Sequence, residues 1–302
     1  MPPRPTGAAM PSRFHTLVMS SFLLVAPLLA QRLAAQAPPA SNPSSNPSTS
    51  PASPASASKA LSDADRKALI LKAHARYYSL KSHGMQEYRF QPVLDWNGFI
   101  DGIKADAAGR QRILSLVKTL RFQVIIGPSG AASVSHQTDD APPDDQTAKS
   151  LNEMTGGLEQ ILNGFFQTWS GYSINPLLPE TESDYQVLDT GSAYLVKYKE
   201  GEAKIALTLG RDLVIQKLEL ESAAINATIL SRFENTGEGL VLSAYEADYK
   251  QGASDAGHLK VTIQNGIVNG LRVPTGFTAT AGTGGQLYTY NFTFNNPLIK
   301  KQ

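Results

Sequence analysis

The chain contains no cysteine. Disulfides, thiolate metal sites and thiol redox chemistry are therefore excluded, as is a lipid-modified cysteine anchor. Concentrated positive charge is missing too: 27 Lys and Arg stand against 26 Asp and Glu, scattered along the sequence. Without a basic arm or stripe there is no electrostatic footprint of a nucleic-acid binder, and no nucleic-acid partner is expected. There is no His-x-x-x-His, no His-Glu pair and no Gly-x-Ser-x-Gly. Those patterns place zinc ligands on one helix face or a serine on a strand-to-helix elbow. Their absence leaves no residue to assign as catalytic or metal-ligating, and no cofactor is implied.

What is present begins with an address. Arg4 and Arg13 precede an uncharged apolar run from Leu17 to Leu29, followed by the small residues Ala30, Ala34, Ala35 and Ala37. Cationic, apolar, small is the order of a secretory signal. The run is shorter than the roughly 20 residues of a bilayer span, and Pro27 interrupts it. Residues 1–37 are therefore expected to be a cleaved signal peptide. Residues 38–58 are Pro, Ser, Ala, Asn and Thr throughout. Such a composition buries too little apolar surface to offset the entropy of ordering it, so a disordered, extended linker is expected. Residues 59–302 are read as a single α+β domain. Loss of Arg4, Arg13 and Arg32 with the signal turns a net charge of +1 slightly negative. The mature protein is expected to be exported, periplasmic or extracellular, and soluble.

Within the domain, Ser62 followed by Asp63 and Asp65 marks a helix start. Ala64, Ala68, Leu71, Ala75 and Tyr78 fall on one face of that helix. After Gly84 the period becomes two: Tyr88, Phe90, Pro92, Leu94 and Trp96 alternate with polar neighbours, which reads as a long strand with one wet side. A second helix is expected over Ile103 to Thr119. Phe122, Val124 and Ile126 then lead through Gly127-Pro128-Ser129-Gly130 to Val134, a hairpin pattern. The segment from His136 to Ser150 reads as an exposed loop. Leu151, Met154, Leu158, Ile161, Leu162, Phe165 and Trp169 share one face of a third helix, widened by Phe166. From Asp184 onward, alternating segments are separated by Thr190-Gly191, Glu200-Gly201, Gly210-Arg211, Thr236-Gly237, Asn269-Gly270 and Gly284-Gly285. About eight or nine antiparallel strands follow from those turns. The expected fold is a strongly curved antiparallel β-sheet, an incomplete barrel, with about three helices packed on the concave side.

Two stretches carry a family likeness. One is the end of the first helix, Tyr77-Tyr78-Ser79-Leu80-Lys81-Ser82, running into a long strand. The other is Val268-Asn269-Gly270-Leu271-Arg272-Val273-Pro274, followed by a final strand through Tyr290, Phe292 and Asn295. In these the chain resembles the LolA-like group of exported proteins, which includes bacterial lipoprotein carriers. The resemblance implies an incomplete antiparallel barrel with helices closing its mouth. The stretch from Asn97 to Pro179 departs from the carriers, which continue with strands soon after the first.

The candidate site follows from the aromatic third helix. If the curved sheet is incompletely filled, Leu158, Leu162, Phe165, Phe166 and Trp169 line an apolar cavity opposite Tyr290 and Phe292, suited to a lipid or acyl chain. Arg110, Arg112, Lys118 and Arg121 on the second helix make a basic face that can dock on an anionic membrane surface. Asp139, Asp140, Asp144 and Asp145 with His136 lack calcium-loop spacing and read as a solvated loop. Ser129 reads as a turn residue, and His74, His83 and His258 as surface or boundary histidines. Glu180, Glu182 and Asp184 are the carboxylates a glycosidase would draw on. The leading expectation is a non-catalytic exported binding or carrier protein for an apolar ligand. The alternatives are a secreted hydrolase and an interaction module of an envelope complex.

Overall fold

The computed structural model describes residues 58–102, 106–139, 144–174, 177–250, 256–283 and 286–302. The expected signal, all of the linker but Ser58, Ile103, Asp140, Pro142-Pro143, Pro176 and the Gly284-Gly285 turn lie outside the described residues. The strands in chain order are β1 (Lys59–Ala60), β2 (Met85–Leu94), β3 (Leu120–Ile126), β4 (Ala132–Thr138), β5 (Tyr185–Asp189), β6 (Ala193–Glu200), β7 (Ala203–Gly210), β8 (Ile215–Glu221), β9 (Asn226–Thr236), β10 (Gly239–Lys250), β11 (Gly257–Val268), β12 (Leu271–Thr283) and β13 (Gln286–Lys301). The helices are α1 (Asp63–His74), α2 (Trp96–Gly102), α3 (Ala107–Val117) and α4 (Asp145–Ser173).

All thirteen strands join one curved, open antiparallel sheet in the order β1-β5-β6-β7-β8-β9-β10-β11-β12-β13-β2-β3-β4. The run from β5 to β13 is a meander in which each strand pairs with the next, as short turns require. At the β11–β12 connection Asn269 and Gly270 both take positive φ, 47° and 74°, between the paired residues Val268 and Leu271. That is the two-residue turn whose twist matches its flanking strands. The expected β3–β4 hairpin is present, paired from Leu120↔Thr138 to Ile126↔Ala132. One face of the sheet is buried, as Ile205, Leu207 and Leu209 on β7 illustrate.

The helices depart from expectation in two ways. In α1 the Ser62 side chain caps the start by accepting from the Asp65 N–H, but the buried residues are Leu69, Ile70 and Ala73. Leu71 is 60% exposed. The alanine stripe offered little area, and burying both Leu69 and Ile70 removes more apolar surface from water. Of the helix expected over Ile103 to Thr119, α3 occupies Ala107–Val117, and the unexpected α2 precedes it, giving four among the described residues. The strand stops at Leu94 because the Asp95 carboxylate accepts from the Gly98 N–H at 3.0 Å and turns Trp96 into the start of α2. Asp106 caps α3 in the same way, accepting from Gly109 at 2.7 Å. No described helix is long and apolar enough to cross a membrane.

The sheet splits at one place. The β8–β9 ladder ends at Lys217↔Leu230, and the β10–β11 ladder begins at Ala244↔Thr262 beside a bulge in β10. The tip of the β9–β10 hairpin therefore pairs only with itself. The chain leaving α1 holds it: Tyr78 N–H donates to the Leu240 carbonyl at 3.0 Å, and Leu240 N–H to the Arg76 carbonyl at 2.8 Å. Gly239, at φ 130°, makes the close approach feasible, since a Cβ there would stand 2.8 Å from the Tyr78 nitrogen.

Candidate functional site

Residues directly opposite each other on paired strands share a face. Reading the register across the sheet therefore identifies rows. Near the end where β6, β8 and β10 finish, one row runs Tyr185, Tyr198, Ile205, Leu220, Ala227, Tyr249 and ends at Gly257. It is apolar or aromatic throughout. The adjacent row on the other face runs Lys199, Lys204, Glu221, Asn226 and Lys250. A groove of about 1150 Å³ is lined by residues of both rows and of a third, Gln186, Lys197, Ala206, Glu219, Thr228 and Asp248, which shares the face of the charged row. That volume is slightly larger than the usual range of small-molecule sites, about 300–1,000 Å³.

Its walls are set by nearby contacts. Tyr198 donates its hydroxyl to the Leu177 carbonyl, and Arg66 lies 4.7 Å over the Tyr185 ring. The Tyr249 ring rests on Gly257, where any Cβ would come within 2.2 Å of it. Burial pushes the Tyr249 phenol up from its ordinary value. Among the lining charges, Lys204 pairs with Glu221 at 2.7 Å, Glu219 with Lys217 at 3.0 Å, and Asp248 with His258 at 2.8 Å. Lys197, Lys199 and Lys250 make no ion pair among the described residues. A smaller, more polar cavity of about 350 Å³ sits at the split in the sheet, with Arg76, Asp212, Ser231 and Asn235 on its walls.

The residues expected to line a cavity under α4 lie elsewhere. Leu158, Leu162, Phe165, Phe166, Trp169, Tyr290 and Phe292 are all buried, and none lines either cavity. They do face one another, but rings occupy the space between them. Phe165 stacks on Phe277 at 3.9 Å, Phe277 on Phe292 at 4.9 Å, and Phe99 on Tyr290 at 5.3 Å. Phe166 packs against Phe90 and Phe294. The decisive filler is Phe277. It sits in a stretch of Thr, Ala and Gly on β12 that gives little hydrophobic signal.

The four basic residues are not gathered on one helix. Arg110 and Arg112 belong to α3, Lys118 is its C-terminal cap, and Arg121 is on β3. Arg110 pairs with Asp101, and Arg121 lies 3.7 Å from Asp139. Of the acidic group, Asp144 caps α4 by accepting from Thr147, and Asp145 lies in its first turn. His136 is on β4 and bonds Glu159 of α4 at 2.7 Å. No cluster of three His, Asp or Glu with metal-ligand geometry occurs among the described residues. Ser129 is in the β3–β4 turn. His74 meets the Pro179 carbonyl, and His83 the Ser79 carbonyl. Glu182 is paired with Lys67, and of Glu180, Glu182 and Asp184 only Asp184 reaches the groove.

Sequence reasoning did not find the groove. Its aromatic row draws one residue from each of six strands, and only the register joins them. Compared with protein-family models, curated proteins and solved structures, the chain matches none.

Proposed function

We propose that this is a non-catalytic, exported binding or carrier protein of the bacterial envelope, a LolA-like half-barrel with its helices on the concave side, whose apolar ligand lies in the groove at the end of the sheet. The observation that carries this reading is the groove itself, at the end of a continuous apolar row from Tyr185 to Tyr249 in which Tyr198, Ala227 and Tyr249 stay partly exposed. Apolar surface left accessible in a ligand-sized concavity favours uptake of an apolar ligand, because its burial removes water from both partners.

The test is native mass spectrometry of protein purified from its host, followed by titration with a fluorescent fatty probe. The expected result is a co-purifying apolar species or saturable probe uptake by the wild type. Ala227→Trp, which projects an indole into the groove from the middle of the row, should abolish uptake while circular dichroism stays unchanged. Empty protein that takes up no probe overturns the proposal.

A further inference from the structure

Independently of that reading, we propose that two copies of the chain associate through β4, paired antiparallel about a twofold axis at Ser135. β4 is the last strand of the sheet and pairs only with β3. At the β3–β4 turn the Gly127 N–H donates to the Ala131 carbonyl. From there, bonding to the neighbour alternates residue by residue along an antiparallel pair. Ser133, Ser135 and Gln137 therefore bond to β3, and the N–H and C=O groups of Ala132, Val134, His136 and Thr138 point out of the sheet. Among the described residues these outward groups have no hydrogen-bond partner.

Proteins blunt such edges with lysine, proline, a bulge or a very short strand. β4 uses none of these. It reads Ala-Ser-Val-Ser-His-Gln-Thr over seven residues, and its register with β3 is unbroken. At about 3.4 Å per residue that is a seam of about 24 Å. Two observations make the occupant a second copy. An edge reserved for a different protein still has to repel its own copies, and β4 carries no Lys, Arg, Asp or Glu to do so. The opposite edge cannot be its mate, because β1 is two residues long and includes Lys59. Head-to-tail growth of the sheet is thereby blocked, and the isologous pairing closes on itself. With Ser135 on the axis, Ala132 lies opposite the partner's Thr138 and Val134 opposite the partner's His136. Every outward main-chain group then finds a mate.

Sedimentation velocity of protein purified from its host, over the micromolar range at low salt, should show a reversible monomer–dimer equilibrium. The association should be weak, since one strand seam is small beside a standard interface of about 1,600 Å². Ser135 is exposed on the outer face. Ser135→Lys and Ser135→Glu each set like charges face to face across the axis and should weaken the dimer by up to about fivefold. An equimolar mixture of the two variants should recover association as a heterodimer, which a misfolded variant could not do. Wild-type protein that stays monomeric throughout overturns the proposal. So does dimerisation that neither variant weakens, which would place the interface elsewhere, and so does a mixture that fails to recover. A different polypeptide that accompanies the wild type and is lost from Ser135→Lys would give the edge to that partner and overturn the homodimer as well.

Discussion

The Tyr77 hydroxyl accepts from the backbone N–H of Ile215 at 2.6 Å and donates to the Leu213 carbonyl at 3.4 Å. It does so where β8 has already parted from β9, so a phenol replaces the missing strand. Tyr77→Phe leaves that N–H buried and unpaired, and should cost about 1–3 kcal/mol in urea denaturation. Tyr290 is buried as well, yet its hydroxyl has no hydrogen-bond partner among the described residues. Tyr290→Phe removes a desolvated group that gains nothing, and should stabilise by about 1 kcal/mol in the same assay. Equal effects of the two substitutions would contradict this account. Burial raises the phenols of Tyr77, Tyr88, Tyr172, Tyr245 and Tyr290, with Tyr172 pushed up to about 12. A raised folded-state value favours the folded form below the unfolded value of about 10, and the advantage is lost as pH climbs through the folded one. Stability should therefore be insensitive to these five groups below about pH 10, then fall by about 1.4 kcal/mol per pH unit for each. Absorbance titration should show them ionising only as the protein unfolds. Nothing local distinguishes these tyrosines in the sequence: the partner of Tyr77 is 138 positions away.

Strands were more legible than helices, for a physical reason. Alternation on a half-buried strand is imposed residue by residue, so Ile205, Leu207 and Leu209, or Tyr88 and Phe90, announce their faces within a few positions. A helix rich in alanine carries a weaker imprint. In α1 the alanines pointed to a face that proved exposed, because Leu69 and Ile70 outweigh them. The strand-to-helix switch at Trp96 was missed although its signal was present: Asp95 lies three residues before Gly98. A capping aspartate gives its carboxylate to an N–H that otherwise has no partner. Asp95→Ala and Asp106→Ala should each lower stability by about 1 kcal/mol, and hydrogen exchange should speed up in the first turns of α2 and α3 respectively. Unchanged exchange in those turns would show that packing of Phe99 and Ile113 alone sets the helix starts.

At the scale of the molecule, the meander from β5 to β13 followed from turn chemistry, whereas the position of the groove did not. Hydrophobicity along the chain marks what is apolar without showing what is filled. Phe165 and Trp169 belong to the most apolar helix and end in a closed stack; Ala227 and Tyr249 belong to mixed strands and end on an open groove. The two locations can be separated by a pair of substitutions. Phe165→Ala removes a ring stacked on Phe277 and should cost about 3–5 kcal/mol of stability through the cavity it leaves. The protein that remains folded should take up fatty probe with unchanged affinity, because no groove wall has moved. Tyr249→Ala uncovers Gly257 and removes a half-buried ring from the groove. It should cost far less stability and weaken probe uptake severalfold. Denaturation and probe titration on both variants form a crossed test. The reverse pattern, in which Phe165→Ala abolishes uptake and Tyr249→Ala leaves it intact, would return the ligand to the space between α4 and the sheet.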